Sequence, residues 1–139
     1  MMVRINLISP KKLADQHLIA EYNEILMLLG YVKKYPEISE LPENYCLGKG
    51  HIKFFKNKLL YLKKRHELIK KEMKKRGFNA KMRVNLNEFS KELVNDWKPL
   101  KKDKKIIINR LKEKIEQKPD YYNYYKEKKP KEFFIEILE

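Results

Sequence analysis

Apolar side chains recur at the helical period through two long stretches of this chain, and that rhythm excludes most sheet architectures. Leu18, Tyr22, Ile25, Leu29 and Val32 follow one another at steps of four and three, along one face of a helix. Ile52, Phe55, Leu59, Leu62, His66, Ile69 and Met73 do the same. The spacing predicts two helices, each with one buried stripe. Punctuation agrees. Ser9-Pro10 reads as a helix cap and first helical position, Pro36 and Pro42 bracket a loop, and Leu47-Gly48-Lys49-Gly50 is a tight turn. Gly77 stands where a helix C-terminus needs a left-handed residue. A third helix is expected over about 104–118, with Ile107, Leu111 and Ile115 on one face and Pro119 ending it. Residues 78–103 are mixed, with a short helix expected around 86–97. The tail carries Tyr121-Tyr122-Asn123-Tyr124-Tyr125 and then an acidic-apolar end over 133–139. No internal repeat and no strand pair is evident. The expected fold is all-α: one compact domain over residues 1–139, with three main helices, long loops and an aromatic C-terminal segment.

A length of 139 residues suits a single domain with one hydrophobic core. No apolar run approaches the roughly 18 residues of a membrane span, so no membrane partner is expected. The front of the chain lacks the pattern of a secretory signal. A single cysteine, Cys46, excludes an intramolecular disulfide and any multi-cysteine zinc site. A cytoplasmic location is therefore expected.

Charge narrows the function. The net charge is +14, and it is unevenly spread. Residues 1–52 hold six basic and six acidic side chains, 53–97 hold fourteen and five, and 98–139 hold thirteen and eight. A strongly positive surface on a small domain points to nucleic acid. An anionic membrane surface is the rival, and lysines that merely solvate helices are the plain alternative.

On the first helix His17, Glu21 and Glu24 are spaced i, i+4, i+7 and share a face, with Gln16, Asn23 and Met27 on an adjacent stripe. Two carboxylates and an imidazole on one face suit acid–base work or metal binding, and equally a solvated polar face. His66 sits on an apolar stripe and reads as a core or boundary residue. His51 follows the glycine turn, whose N–H groups offer a weak phosphate signal; no Walker spacing follows. Lys56, Lys63, Lys70 and Lys74 are expected on an outer basic face of the second helix. The clustered tyrosines suit either stacking on bases or packing on the core.

Several stretches together resemble the pyrimidine-dimer DNA glycosylases of the bacteriophage endonuclease V type. They are Arg4-Ile5-Asn6-Leu7, Leu13-Ala14-Asp15-Gln16-His17-Leu18, Ala20-Glu21-Tyr22 with Glu24, Leu47-Gly48 with Gly50-His51, and Phe54-Phe55. Lys58-Leu59, Lys64-Arg65 and Lys75-Arg76-Gly77-Phe78-Asn79 follow in order. Arg110-Leu111, Glu113-Lys114-Ile115, Gln117, Pro119, Tyr122 and Tyr124-Tyr125 complete the likeness, which runs over nearly the whole chain.

The resemblance implies a small all-α enzyme acting on damaged double-stranded DNA as a monomer. It implies a glycosylase with abasic-site lyase activity that needs neither metal nor cofactor. The nucleophile implied is the α-amine of a mature N-terminus at Val3, with Glu24 as the catalytic carboxylate. An α-amine titrates near 8, about two units below lysine, so a useful fraction is neutral at pH 7. By the same resemblance Arg4 and His17 line the active site, Gln16 and Glu21 support it, Arg110 and Lys114 face DNA, and Tyr122 belongs to a DNA-contacting segment. Two departures stand out. Val3 occupies a position that is typically threonine, so the amine falls in register only if Met1 and Met2 are absent from the mature chain. Asn23 and Met27 replace two basic residues, a loss expected to lower the salt dependence of DNA binding by about two units. That loss puts dimer specificity in question more than lyase chemistry, and leaves action on abasic sites or other lesions, or plain DNA binding, as alternatives.

Overall fold

The computed structural model describes residues 3–139; Met1 and Met2, on which the expected start rests, lie outside them. The described residues form five α-helices: α1 (Asp15–Lys34), α2 (Gly50–Phe55), α3 (Leu59–Lys75), α4 (Lys101–Gln117) and α5 (Lys131–Leu138). The all-α expectation holds, and α1, α3 and α4 are its three long helices. Helix α1 packs along α3, and α4 packs along α5. The predicted stripes face inward: Leu18, Ile25, Val32, Leu59, Leu62 and Ile69 are completely buried.

The structure departs from the sequence reading at five places. Ser9-Pro10 opens only a single 3-10 turn, Pro10–Lys12. The chain then runs extended through the buried Leu13 and Ala14, and α1 starts at Asp15. The second helix is broken between Phe55 and Leu59. Lys58 leaves the helical region at φ −128°, and its ammonium caps the freed Phe54 carbonyl at 2.8 Å while lying over the Phe54 ring. The apolar rhythm runs through this break because α2 and α3 face one core. Lys56 falls at the break and is buried, instead of lying on an outer face. Around 86–97 there is only a 3-10 turn, Lys91–Leu93. The acidic-apolar end is a helix, α5, whose Phe134 and Leu138 are buried. A minimal strand pair, β1 (Asn123–Tyr124) with β2 (Glu127–Lys128), precedes it.

At Gly77 (φ +88°) the expected stop is realised: the Gly77 and Phe78 N–H groups donate to the Lys74 and Met73 carbonyls, closing α3 with a Schellman motif.

Residues 3–8 cross the core as an extended chain, and Val3, Ile5, Leu7 and Ile8 are buried with Asn6 between them. None of these residues pairs with a strand, yet buried backbone groups need partners. Side chains supply them. The Arg4 N–H donates to Glu24 and the Ile5 N–H to His51 Nε2, at 2.6 and 2.9 Å. The Ile5 carbonyl accepts from the Tyr45 hydroxyl at 3.0 Å, and the Ile8 carbonyl accepts from Arg65. Asn6 donates to Glu21 at 2.9 Å, and Arg65 grips that same carboxylate through Nε and Nη2 at 2.7 and 3.0 Å. At Leu7 the backbone takes φ +62°, a left-handed conformation costly for leucine, in a three-residue turn closed by the Ile8 N–H on the Asn6 carbonyl. These polar anchors hold the segment in that turn.

The tautomer of His51 follows from its partners. Nε2 accepts from Ile5, so Nδ1 carries the proton and donates to the Cys46 carbonyl at 2.9 Å. This ring therefore belongs to the core, and the phosphate reading of its glycine turn is not realised through it. Burial chiefly, with the Arg4 charge adding and the Cys46 bond opposing, lowers its pKa from 6.5 to about 4. Between those values the unfolded chain binds the extra proton, so stability is full above about pH 6.5 and is lost as pH falls toward 4. The pKa difference corresponds to about 3 kcal/mol. Urea unfolding at pH 7 and pH 4.5 should show that loss, and His51→Gln, less stable at pH 7, should lose correspondingly less on acidification.

Candidate active site

A cavity of about 310 Å³ lies where the N-terminal segment, α1, α4 and the aromatic tail meet. On the α1 side His17, Ala20, Glu21 and Glu24 line it, as their shared helical face requires. Arg4 and Asn6 enter from the N-terminal segment, and Ile107, Arg110, Leu111 and Lys114 from α4. Tyr121 and Tyr122 form the remaining wall with Gln16 beneath them.

Glu24 is the half-buried carboxylate of this cleft. Its Oε1 accepts the Arg4 N–H at 2.6 Å, which brings the carboxyl one residue from Val3. Burial lifts the Glu24 pKa; the Arg4 hydrogen bond opposes the rise, and the nearby Glu21 charge adds to it. The Arg4 guanidinium turns back to donate to the Val3 carbonyl at 2.9 Å. Val3 itself does not line the cavity. Its side chain is buried beside it, so the backbone at Val3 is fixed relative to Glu24.

Glu21 lines the cleft but is committed elsewhere: its carboxylate is only 1% exposed and is held by Arg65 and Asn6. It anchors the N-terminal segment. Gln16 ties α1 to the tail, donating to the Tyr121 carbonyl at 3.0 Å and accepting the Asn123 N–H at 3.0 Å. His17 packs against Tyr122 with ring centroids 4.7 Å apart. Burial first, and the Lys114 ammonium second, hold its pKa at about 4, so the ring is neutral at pH 7. Tyr122 is buried, whereas Tyr121, its neighbour in the cleft wall, is exposed. Arg110 is engaged with Glu113 at a loose 3.5 Å, and Lys114 has no carboxylate partner among the described residues. Asn23 lies outside the cleft; it is exposed and donates to the Ile19 carbonyl of its own helix. One helical step from Glu24 turns a side chain by about 100°, which carries position 23 onto the open face of α1.

Of the ten residues singled out in the sequence, the fold thus gathers eight around one cavity and sets Val3 beside it. Sequence reasoning gave no role to Asn6, although the Arg4-Ile5-Asn6-Leu7 segment carried it, and did not find Ala20, Ile107, Leu111 or Tyr121 as cleft walls. Among the described residues no group of three or more His, Cys, Asp or Glu side chains is arranged to hold a metal ion, and no helix is long and apolar enough to cross a membrane.

The family model for pyrimidine dimer DNA glycosylases matches residues 2–86, more than half of the chain. The chain belongs to that family. The match contains every cleft residue contributed by the N-terminal segment and α1, including Arg4, His17 and Glu24. It stops before α4 and the tail, so this glycosylase family member builds its opposite wall from residues outside the matched region.

Proposed function

We propose that this chain excises ultraviolet-induced cyclobutane pyrimidine dimers and then cuts the abasic strand, using the α-amine of Val3 as nucleophile once Met1 and Met2 are removed. The observation that carries the reading is the Glu24 carboxyl bonded to the Arg4 N–H, one residue from that amine. The neutral amine attacks C1′ of the damaged nucleotide, and the glycosidic bond breaks with its electron pair leaving on the base. The proton lost by the amine returns to the departing base, the protonated Glu24 carboxyl gives its proton to O4′ as the ring opens, and the product is a protonated imine with Glu24 left as the carboxylate. Removal of a C2′ proton then expels the 3′ phosphate by β-elimination, and water releases the enzyme. Glu24 is the group with a raised pKa at the place where these protons move, and its carboxylate form stabilises the developing iminium charge. Neutral His17 is a donor and acceptor for the sugar, and Arg110 and Lys114 hold phosphates on the far wall.

Borohydride trapping tests this directly. On duplexes carrying a thymine dimer or an abasic site, protein beginning at Val3 is expected to form a reduced covalent adduct at the Val3 nitrogen, located by peptide mass spectrometry, with excess chelator making no difference. Protein of verified Val3 terminus that gives no adduct on either duplex would refute the chemistry. An adduct on the abasic duplex alone would favour the lyase-only alternative suggested by Asn23 and Met27.

Binding gives a separate expectation. Arg110→Ala and Lys114→Ala should each reduce the salt slope of duplex affinity by about one unit, since each removes one phosphate contact. Fluorescence anisotropy across a salt series reads this, and unchanged slopes would remove α4 from the DNA interface.

A further inference from the structure

A second cleft, of about 620 Å³, lies between α3 and the segment 83–87. Its charged lining is lopsided. Lys63, Lys70 and Arg83 face it, against the single carboxylate of Glu67. None of these three cations pairs with a carboxylate among the described residues, whereas the next acidic residue of the segment, Glu88, is taken by Lys33. Lys74 and Arg83 both bear on Lys70 and, with desolvation as the larger cause, make its ammonium form less favourable than usual. Like charges gathered with too little counter-charge are the arrangement an anion completes.

The wall holds a second sign of an absent partner. His66 is 1% exposed and stacks on the Tyr22 ring at 4.7 Å. Its Nε2 lies 3.2 Å from the Tyr22 carbonyl, which can only accept, so Nε2 carries the proton of the neutral ring. Nδ1 is then a buried lone pair, and no polar atom among the described residues reaches it. Unpartnered buried polar atoms are rare in folded proteins. Asn85 and Asn87 add further donors around the same cleft.

The position of the cleft also bears on its use. The segment is pinned to α1, with the Met82 N–H donating to the Tyr22 hydroxyl at 2.8 Å. At about 100° per residue, Tyr22 lies roughly 160° around α1 from Glu24. The exposed face carrying Asn23 and Met27 runs between the two clefts.

We propose that the cleft between α3 and segment 83–87 is a second phosphate-binding site, formed by Lys63, Lys70 and Arg83 with His66 in its wall, on the flank of α1 opposite Glu24. Binding a phosphodiester lets His66 take up one proton from solvent, so that Nδ1 becomes a donor. Burial chiefly, and the Lys70 charge with it, oppose that protonated ring, the Tyr22 carbonyl and Glu67 favour it, and an anion held among Lys63, Lys70 and Arg83, beside Lys74, offsets the opposition. Backbone phosphates of a duplex draped over α1 and free inorganic phosphate offer the same chemistry, and separate arms of one experiment distinguish them.

The experiment follows the imidazole nitrogens by NMR at fixed pH and ionic strength, during titration with inorganic phosphate and, separately, with an undamaged duplex. It needs neither glycosylase nor lyase activity, so its outcome is independent of the Schiff-base reading. The expected result is a saturable shift of the His66 nitrogens toward the protonated form, lost in the exposed-site double variant Lys70→Ala, Arg83→Ala. A response to both titrants assigns the site to the DNA backbone, and a response to inorganic phosphate alone assigns it to free phosphate. No saturable response in either arm, or a response unchanged in the double variant, overturns the proposal. In the duplex arm the double variant should also lower the salt slope by about two units.

Discussion

Glu24→Gln is expected to reduce dimer excision by at least about a hundredfold and as much as ten-thousandfold, the range associated with removal of a positioned acid–base group. The fold should survive. Glutamine keeps the length of the side chain and its carbonyl still accepts the Arg4 N–H, so the N-terminal segment stays anchored. What disappears is the negative charge and the exchangeable proton one residue from Val3. Burial lifts the Glu24 pKa, so the side chain can serve as acid and base in successive steps, which an amide cannot. Single-turnover cleavage of a dimer duplex, with urea unfolding as the control, reads both halves of the expectation. Cleavage near the wild-type rate in a folded Glu24→Gln protein would remove Glu24 from the chemistry.

Arg65→Ala carries the largest expected effect on stability, about 3–5 kcal/mol. The Arg65–Glu21 pair is buried on both sides, and its guanidinium also satisfies the Ile8 carbonyl. Truncating Arg65 leaves the Glu21 charge with only Asn6 and orphans a carbonyl next to the strained Leu7 turn. Urea unfolding should show the loss. A second variant separates stability from positioning. Replacing the pair together, with Glu21→Leu and Arg65→Met, removes both buried charges and should recover much of the stability. It does not restore the anchors on Asn6 and Ile8, so the rate of borohydride trapping should remain low. Full recovery of both stability and trapping would mean that the pair contributes nothing to placing Val3.

Much of the fold was legible because helical periodicity survives wherever one face is buried. Leu18, Ile25 and Val32 stated α1, and Ile107, Leu111 and Ile115 stated α4. The break after Phe55 was not legible, since a kink that keeps the same side chains on the core leaves the rhythm intact. Helix α5 was missed because its acidic residues are as frequent as a solvated tail would have, and only Phe134 and Leu138 carry the helical spacing inward. For the site, the shared face of His17, Glu21 and Glu24 was readable from spacing alone. The distinction between Glu24, free to act, and Glu21, locked by Arg65, was not. It depends on a partner 44 residues away and on an N-terminal segment whose backbone bonds to side chains, a form of satisfaction that leaves no periodic trace. The basic run of the second helix misled for the same reason: nothing in the spacing separates the buried Lys56 from the exposed Lys74.

The far wall of the active cleft is held by a small number of polar pins. Asp15, at the start of α1, accepts the Tyr125 and Lys126 N–H groups at 3.1 and 2.7 Å, holding two residues at φ +52° and +67° in the hairpin turn. Arg76 bridges Asp15 and Glu72 while Tyr124 and Tyr125 lie over its guanidinium. The cleft is therefore a seam between segments far apart along the chain. Under the proposed function, DNA seated there would bridge Arg4 and Glu24 on one side and Lys114 and Tyr121 on the other. In polymer terms the substrate is a reversible cross-link that closes a loop of roughly a hundred residues. A ligand of the folded state alone also adds to its stability. On that reading the damaged strand is, for as long as it is bound, one of the staples that hold the protein together.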